Sequence, residues 1–199
     1  MLEGARFQGK SYLFDKFFEQ NTDPRIVPYK FYFVNWIERL GLNRNDSDPA
    51  LHYISLGNIL TVMEKMASDN SKLIVFDRAL YSCFVWSQLR KRLPYNRALA
   101  ELLAILKSPE YRNCKTLYIK SIKLNDLERN DMRGKDMWDN MHSAQEEDHW
   151  YQEFFIDTIV EHTNLDRNVW VKESINTMTQ YDVDNFIGFV NDLACELDS

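Results

Sequence analysis

Residues Gly4-Ala5-Arg6-Phe7-Gln8-Gly9-Lys10-Ser11 read G-x-x-x-x-G-K-S, a spacing suited to holding a phosphate chain. The two glycines let the backbone wrap an anion with no Cβ in the way. The loop amides, with the N-terminus of a following helix, then point at the anion. Lys10 has the reach to meet β and γ oxygens, and the Ser11 hydroxyl is a ligand type for Mg²⁺. A second chemical pair, Asp77-Arg78, ends the apolar run Leu73-Ile74-Val75-Phe76. A carboxylate there can hold a metal-bound water or take a proton from an acceptor, and a guanidinium offers a two-pronged fork for a phosphate. The plainer reading of the pair is a helix-capping Asp beside a solvated Arg. A third candidate is the charged run Glu128-Arg129-Asn130-Asp131-Met132-Arg133-Gly134-Lys135-Asp136, whose plainer reading is a solvated turn.

These groups need a scaffold, and the apolar pattern supplies one. The run Tyr12-Leu13-Phe14-Asp15-Lys16-Phe17-Phe18 predicts a helix over about 10–20, ending before Asn21-Thr22-Asp23-Pro24. A strand is expected over 26–31, with Pro28 favouring a strand start or an edge. Helices are expected over 33–40, ending at Gly41, and over 50–68. Leu73–Phe76 reads as a strand buried on both faces. Helices over 81–93 and 96–107, a strand over 116–120, a helix over 144–162, a strand over 169–171 and a helix over 183–197 complete the chain. Strands alternating with helices indicate parallel β and a three-layer αβα sandwich. Asp77-Arg78 then sits at the carboxyl edge of a parallel sheet, where open α/β folds bind ligands. Only Met1, Leu2 and Glu3 precede Gly4, whereas a strand feeding such a loop is about five residues long. The strand is short, or a few residues before Met1 are missing; the second is the expectation.

The totals narrow the function classes. The chain has 199 residues, 45% hydrophobic and 14% aromatic, enough for one sizeable core. The net charge of −6 argues against a general nucleic-acid-coating protein, while leaving room for a local basic cleft. Cys83, Cys114 and Cys195 lie far apart, which disfavours a disulfide scaffold or a zinc site. His52, His142, His149 and His162 share no metal-ligand spacing. No apolar run approaches membrane-spanning length, and the phosphate loop stands where a signal peptide would be. The expectation is a cytoplasmic protein.

The segment Asp77-Arg78-Ala79-Leu80-Tyr81-Ser82-Cys83-Phe84-Val85-Trp86 resembles the D-R-Y-x-x-S-x-x-A-Y segment of thymidylate kinases and related phage nucleotide kinases. Asp, Arg and Ser match, with Ala79, Val85 and Trp86 replacing Tyr, Ala and Tyr. Glu3-Gly4 resembles that family's E-G before its P-loop, and residues 128–136 resemble its arginine-bearing lid. The resemblance is specific in these three places. It implies a P-loop nucleotide kinase fold, one domain over 1–199, with a helical lid at about 125–143. It implies ATP and Mg²⁺ as cofactors: Gly4, Arg6, Gly9, Lys10, Ser11 and Tyr12 around the nucleotide, Ser11 and Asp77 at the metal. It implies Lys10, Asp77, Arg129 and Arg133 as catalytic, with the two lid arginines closing over the transferring phosphoryl group. Arg78, Ser82 and Trp86 would meet the acceptor, a deoxynucleoside or deoxynucleotide. Dimerisation through helices is common in that family.

The chain also departs from the family. Where thymidylate kinases typically carry an Asp that binds the acceptor 3′-hydroxyl, this chain carries Arg6. Arginine has no acceptor atom but pairs well with phosphate. A nucleotide within DNA has an anion at that place, and some phages encode kinases of this type acting on 5-hydroxymethyluracil in DNA. In that alternative Arg6, Arg25, Lys30, Arg90, Lys91 and Arg92 would meet phosphodiesters. Phe7, Tyr81 or Trp86 would stack on an extruded base. The plainer readings are a solvated helix C-terminus at 90–92 and core aromatics at 81, 84 and 86. A third possibility is a non-catalytic P-loop regulator, against which the intact Gly-Lys-Ser, Asp-Arg and lid arginines count.

Overall fold

The computed structural model describes residues 1–5, 9–30, 37, 39–43, 45–67, 69, 71–111, 114–121, 144–155, 167–172 and 179–198. Five strands form one parallel sheet: β1 (Leu2–Glu3), β2 (Ile26–Lys30), β3 (Leu73–Asp77), β4 (Thr116–Ser121) and β5 (Arg167–Lys172). Their order is β2-β3-β1-β4-β5. In the ladder, Ile26 pairs with Leu73 and Lys30 with Asp77, Leu2 lies between Asp77 and Leu117, and Glu3 pairs with Tyr118. β2 and β3 fall on one side of β1, and β4 and β5 on the other. The carboxyl ends of β1 and β3, Glu3 and Asp77, therefore come side by side at the point where the strand order reverses.

Helices cover both faces, giving a three-layer α/β fold. One face holds α1 (Lys10–Gln20) and α6 (Gln180–Cys195). Leu13, Phe14 and Phe17 of α1 and Val183, Phe186 and Val190 of α6 pack there on Leu2, Val75, Leu117 and Ile119. The opposite face holds α2 (Pro49–Ala67), α3 (Leu80–Leu89), α4 (Tyr95–Leu106) and α5, the helical residues 144–155. Their side chains join Phe76 and Tyr118. Val75 against Phe76, and Leu117 against Tyr118, show the period of two that sends alternate side chains to opposite faces. Local signals explain the ends. The Thr179 hydroxyl accepts from Asp182 N while the Asp182 carboxylate accepts from Thr179 N, a reciprocal cap that starts α6.

The sequence expectations hold in outline and fail in instructive places. Pro28 lies mid-strand in β2, which is a sheet edge, one of its two expected places. Leu73 and Ile74 are half-buried, not fully covered, because β1 is two residues long and pairs with β3 only at Asp77. A cavity of about 740 Å³ opens beside them, lined also by Met1, Lys115 and Phe189. The helix expected over 81–93 ends at Leu89. Lys91 there takes φ 52, and the amides of Lys91 and Arg92 donate to Gln88 O and Ser87 O, both at 2.9 Å. This is a Schellman closure with lysine in the place glycine usually fills. Ile37 and Arg39 are helical, as expected for 33–40. Leu40 is a turn residue; residues 33–36 and 38, the 125–143 segment and residues 156–162 lie outside the described residues.

Candidate active site

Two glycines set the loop ends. Gly4 takes φ 143 and Gly9 φ 74, backbone angles that a Cβ would strain. Gly9 caps α1, whose first turn has no side-chain cap and no acidic residue. Its N–H groups are therefore in place for an anion. Directly behind lies Lys10, 4% exposed, donating through Nζ to Ala5 O at 2.5 Å. Burial pushes its ammonium down to about 7, helped by the Arg78 charge and resisted by Glu147, Asp77 and Glu3. A lysine so placed gains strongly from a phosphate, because the anion restores what burial removed.

Across the gap, the Ser11 hydroxyl donates to Asp77 Oδ2 at 2.7 Å. Asp77 is buried, and its Oδ1 has no hydrogen-bond partner among the described residues. An orphaned carboxylate oxygen beside a hydroxyl is a donor set that fits Mg²⁺, a cation content with one or two protein ligands when phosphates and water supply the rest. Among the described residues no group of three or more His, Cys, Asp or Glu side chains is arranged to hold a metal ion.

Arg78 follows in a left-handed conformation, φ 67, unusual for a residue with a side chain. Bonds on both sides hold it: Arg78 N donates to Leu2 O at 3.0 Å and Ala79 N to Glu3 Oε1 at 2.9 Å. Burial works against the guanidinium charge, but Tyr151, Glu147, Glu3 and Asp77 outweigh it and hold the pKa above its ordinary value.

Glu3, fully buried, is the hub beneath. Its Oε2 accepts from Ser82 Oγ at 2.6 Å and from the Tyr151 hydroxyl at 3.2 Å. Helix α5 contributes Glu147 as well, fully buried and close enough to raise the Lys10 ammonium. Neither Glu147 nor Tyr151 is among the expected site residues; Tyr151 reads from sequence as part of a buried helix face with Trp150, Phe154 and Phe155, and it is buried. Their spacing of four places both on one helix face, but α5 reads as an apolar helix with ordinary surface acids until its partners are known.

The structure brings Gly4, Gly9, Lys10, Ser11, Asp77 and Arg78 to one sheet edge. Ser82 lies just beneath, 2% exposed, its hydroxyl turned to Glu3 and Tyr151 rather than to an open surface. Tyr12 is exposed, with the Lys16 ammonium 6.0 Å from its ring centre. Trp86 lies one turn beyond Ser82 on α3, half-buried, with the Arg90 guanidinium 5.6 Å from its ring centre. Tyr81 and Phe84 are fully buried and serve the core, not a stacking platform. Arg92 corrects the reading of a solvated 90–92 cluster: it is 4% exposed and donates to Asp46 O at 3.1 Å. Arg25 pairs with Asp23 at 2.7 Å, and Lys30 pairs with Asp15. Lys91 is exposed. Arg6, Phe7, Arg129 and Arg133 lie outside the described residues. The 740 Å³ cavity is at the opposite end of the strands and is lined by none of the predicted site residues. No protein-family profile matches the chain, and no curated protein matches it significantly.

Proposed function

We infer that this chain is a Mg·ATP-dependent phosphotransferase of the thymidylate kinase-like P-loop type. Its γ-phosphate goes to a deoxynucleoside or deoxynucleotide. The observation that carries this reading is the Ser11–Asp77 hydrogen bond, with its orphaned carboxylate oxygen, at the same sheet edge as a buried lysine whose Nζ rests on a backbone carbonyl. In this reading Lys10 exchanges the Ala5 carbonyl for a phosphate oxygen, and the amides opening α1 bind the same chain. Ser11 and Asp77 would hold Mg²⁺, which would supply charge neutralisation at the phosphate chain. Arg78 would hold the acceptor or its phosphate, and the resemblance would give Arg129 and Arg133 the part of meeting the transferring phosphoryl group. The acceptor oxygen bonds to the γ phosphorus as the bond to the β-phosphate oxygen breaks and ADP departs. Such chemistry asks for positioning and electrostatics more than for covalent participation.

The same kit would serve an acceptor base within DNA, so the deciding assay carries both arms. Transfer of ³²P from γ-labelled ATP with Mg²⁺ is measured to thymidine, to dTMP and to duplex DNA containing 5-hydroxymethyluracil. Label on either small molecule, abolished by Lys10→Ala, is the expected result. Label on DNA alone moves the reading to a DNA base kinase. Slow ATP hydrolysis that no acceptor stimulates overturns the kinase reading in favour of a nucleotide-binding regulator.

A further inference from the structure

The buried hydroxyl of Tyr151 touches three groups at once. It lies 2.6 Å from Ser82 Oγ, donates to Glu3 Oε2 at 3.2 Å, and accepts from the Arg78 guanidinium at 3.3 Å. Its ring is fully buried, stacked on Tyr118 at 5.8 Å. Each partner comes from a different piece of the candidate site. Glu3 immediately precedes the Gly4 loop, Ser82 opens α3, and Arg78 stands between Asp77 and that helix. Tyr151 belongs to α5, the first described helix after the charged 122–143 stretch. A phenol of ordinary packing value needs one partner when buried; this one joins a carboxylate, a hydroxyl and a guanidinium.

We propose that Tyr151 is a positioning residue for Arg78, fixing the direction of its guanidinium and tying that direction to the seat of α5. The proposal rests on the phosphotransferase reading for its functional consequence, though not for its geometry. Arg78 has a left-handed backbone, held by Leu2 O and Glu3, so its Cα–Cβ direction is already set. What stays adjustable is the long side chain, and a bond at its tip removes that freedom. The hydroxyl bonds the group that meets the acceptor and makes no bond to Lys10 or Ser11, so its loss is felt mainly on the acceptor.

Tyr151→Phe tests this, because the ring and its packing stay and one oxygen goes. Tyr118→Phe is the control. It removes a hydroxyl bonded to Asp148 of the same helix at 2.9 Å, far from Arg78 in the bonding network. For Tyr151→Phe the acceptor KM rises about tenfold or more, the worth of one hydrogen bond to a charged group, while the ATP KM stays within about twofold. Tyr118→Phe leaves both unchanged. Equal rises in both KM values, or the same acceptor effect in Tyr118→Phe, would mean a general loosening of α5 and would overturn the proposal. A second readout needs no turnover: the ¹H–¹⁵N guanidinium resonances of Arg78, assigned by their loss in Arg78→Lys. They shift and broaden in Tyr151→Phe; unchanged resonances overturn the proposal whatever the kinetics show. If wild type transfers to no acceptor yet the resonances move, the positioning role stands and only the kinase reading falls.

Discussion

The Ser11 hydroxyl and Asp77 Oδ2 meet at 2.7 Å, joining the first turn of α1 to the carboxyl end of β3 across 66 positions of sequence. The bond leaves Asp77 Oδ1 buried without a partner among the described residues. A buried polar atom left unpaired costs about 1–3 kcal/mol, more when charged, so its retention points to a ligand. Asp77→Asn keeps the shape and an acceptor for Ser11 but removes the charge a divalent cation needs. Calorimetry with ADP should show affinity at least about tenfold weaker in Mg²⁺, or about 1.4 kcal/mol, and unchanged in EDTA. An equal loss in both conditions would make Asp77 a structural residue.

Lys10 predicts a proton count. With its ammonium pushed down to about 7 by burial, the empty protein holds Lys10 mostly neutral at pH 8, and a bound phosphate chain favours the charged form. ADP binding at pH 8 should therefore take up close to one proton, seen as a binding enthalpy that changes with the ionisation enthalpy of the buffer. The uptake should be small at pH 6 and absent in Lys10→Met. The same shift has a stability consequence of definite sign. Between about pH 7 and the ordinary lysine value of 10.5, the unfolded chain holds a proton that the folded chain lacks, so this group's contribution to stability rises with pH across that window. Lys10→Met should thus gain most over wild type below pH 7, with the gap closing towards pH 10. A gap that does not vary with pH would contradict the buried, depressed lysine.

What the sequence disclosed and what it hid divide along one line. Gly4, Gly9, Lys10 and Ser11 form a local pattern that lands at the start of α1, and Leu73–Asp77 carries its own apolar signature. Both were legible, and so were α1 and the alternation of strands and helices. Glu3, Ser82, Glu147 and Tyr151 meet only in three dimensions, over separations of up to 148 positions. Nothing local tells the buried Glu147 from a solvated helix acid. Arg92 was misread for a related reason. A cation after a helix suggests a solvated dipole partner, and only the Schellman closure at Lys91, which turns the chain back on itself, reveals that its head finds Asp46 O.

The Glu3 hub gives a stability prediction. Its carboxylate accepts from Ala79 N, Ser82 Oγ and Tyr151, all within the interior. Glu3→Ala strands these donors and opens a hole, and should cost about 3 kcal/mol or more by urea unfolding. Glu3→Gln preserves an acceptor oxygen and the volume and should cost distinctly less. Similar, small costs for both would show that the carboxylate is not what orders the Arg78 turn.

The turn after α3 separates a structural arginine from a surface lysine. Arg92 is buried on its stem and bonded at its head, so Arg92→Ala should destabilise by about 1–2 kcal/mol with no ligand present. Lys91 is exposed and takes φ 52, a conformation in which a Cβ is a liability. Lys91→Gly should therefore be neutral or stabilise by up to about 1 kcal/mol, the reverse of the usual cost of glycine in a helix interior. The two substitutions also test the basic cluster as a DNA contact. If 5-hydroxymethyluracil DNA is the acceptor and this turn lies under its backbone, Lys91→Gly should raise the DNA KM and flatten its salt dependence, while leaving the fold as stable as before. If the DNA KM follows only the stability loss of Arg92→Ala and ignores Lys91, the cluster is a helix stop and plays no part in holding the acceptor.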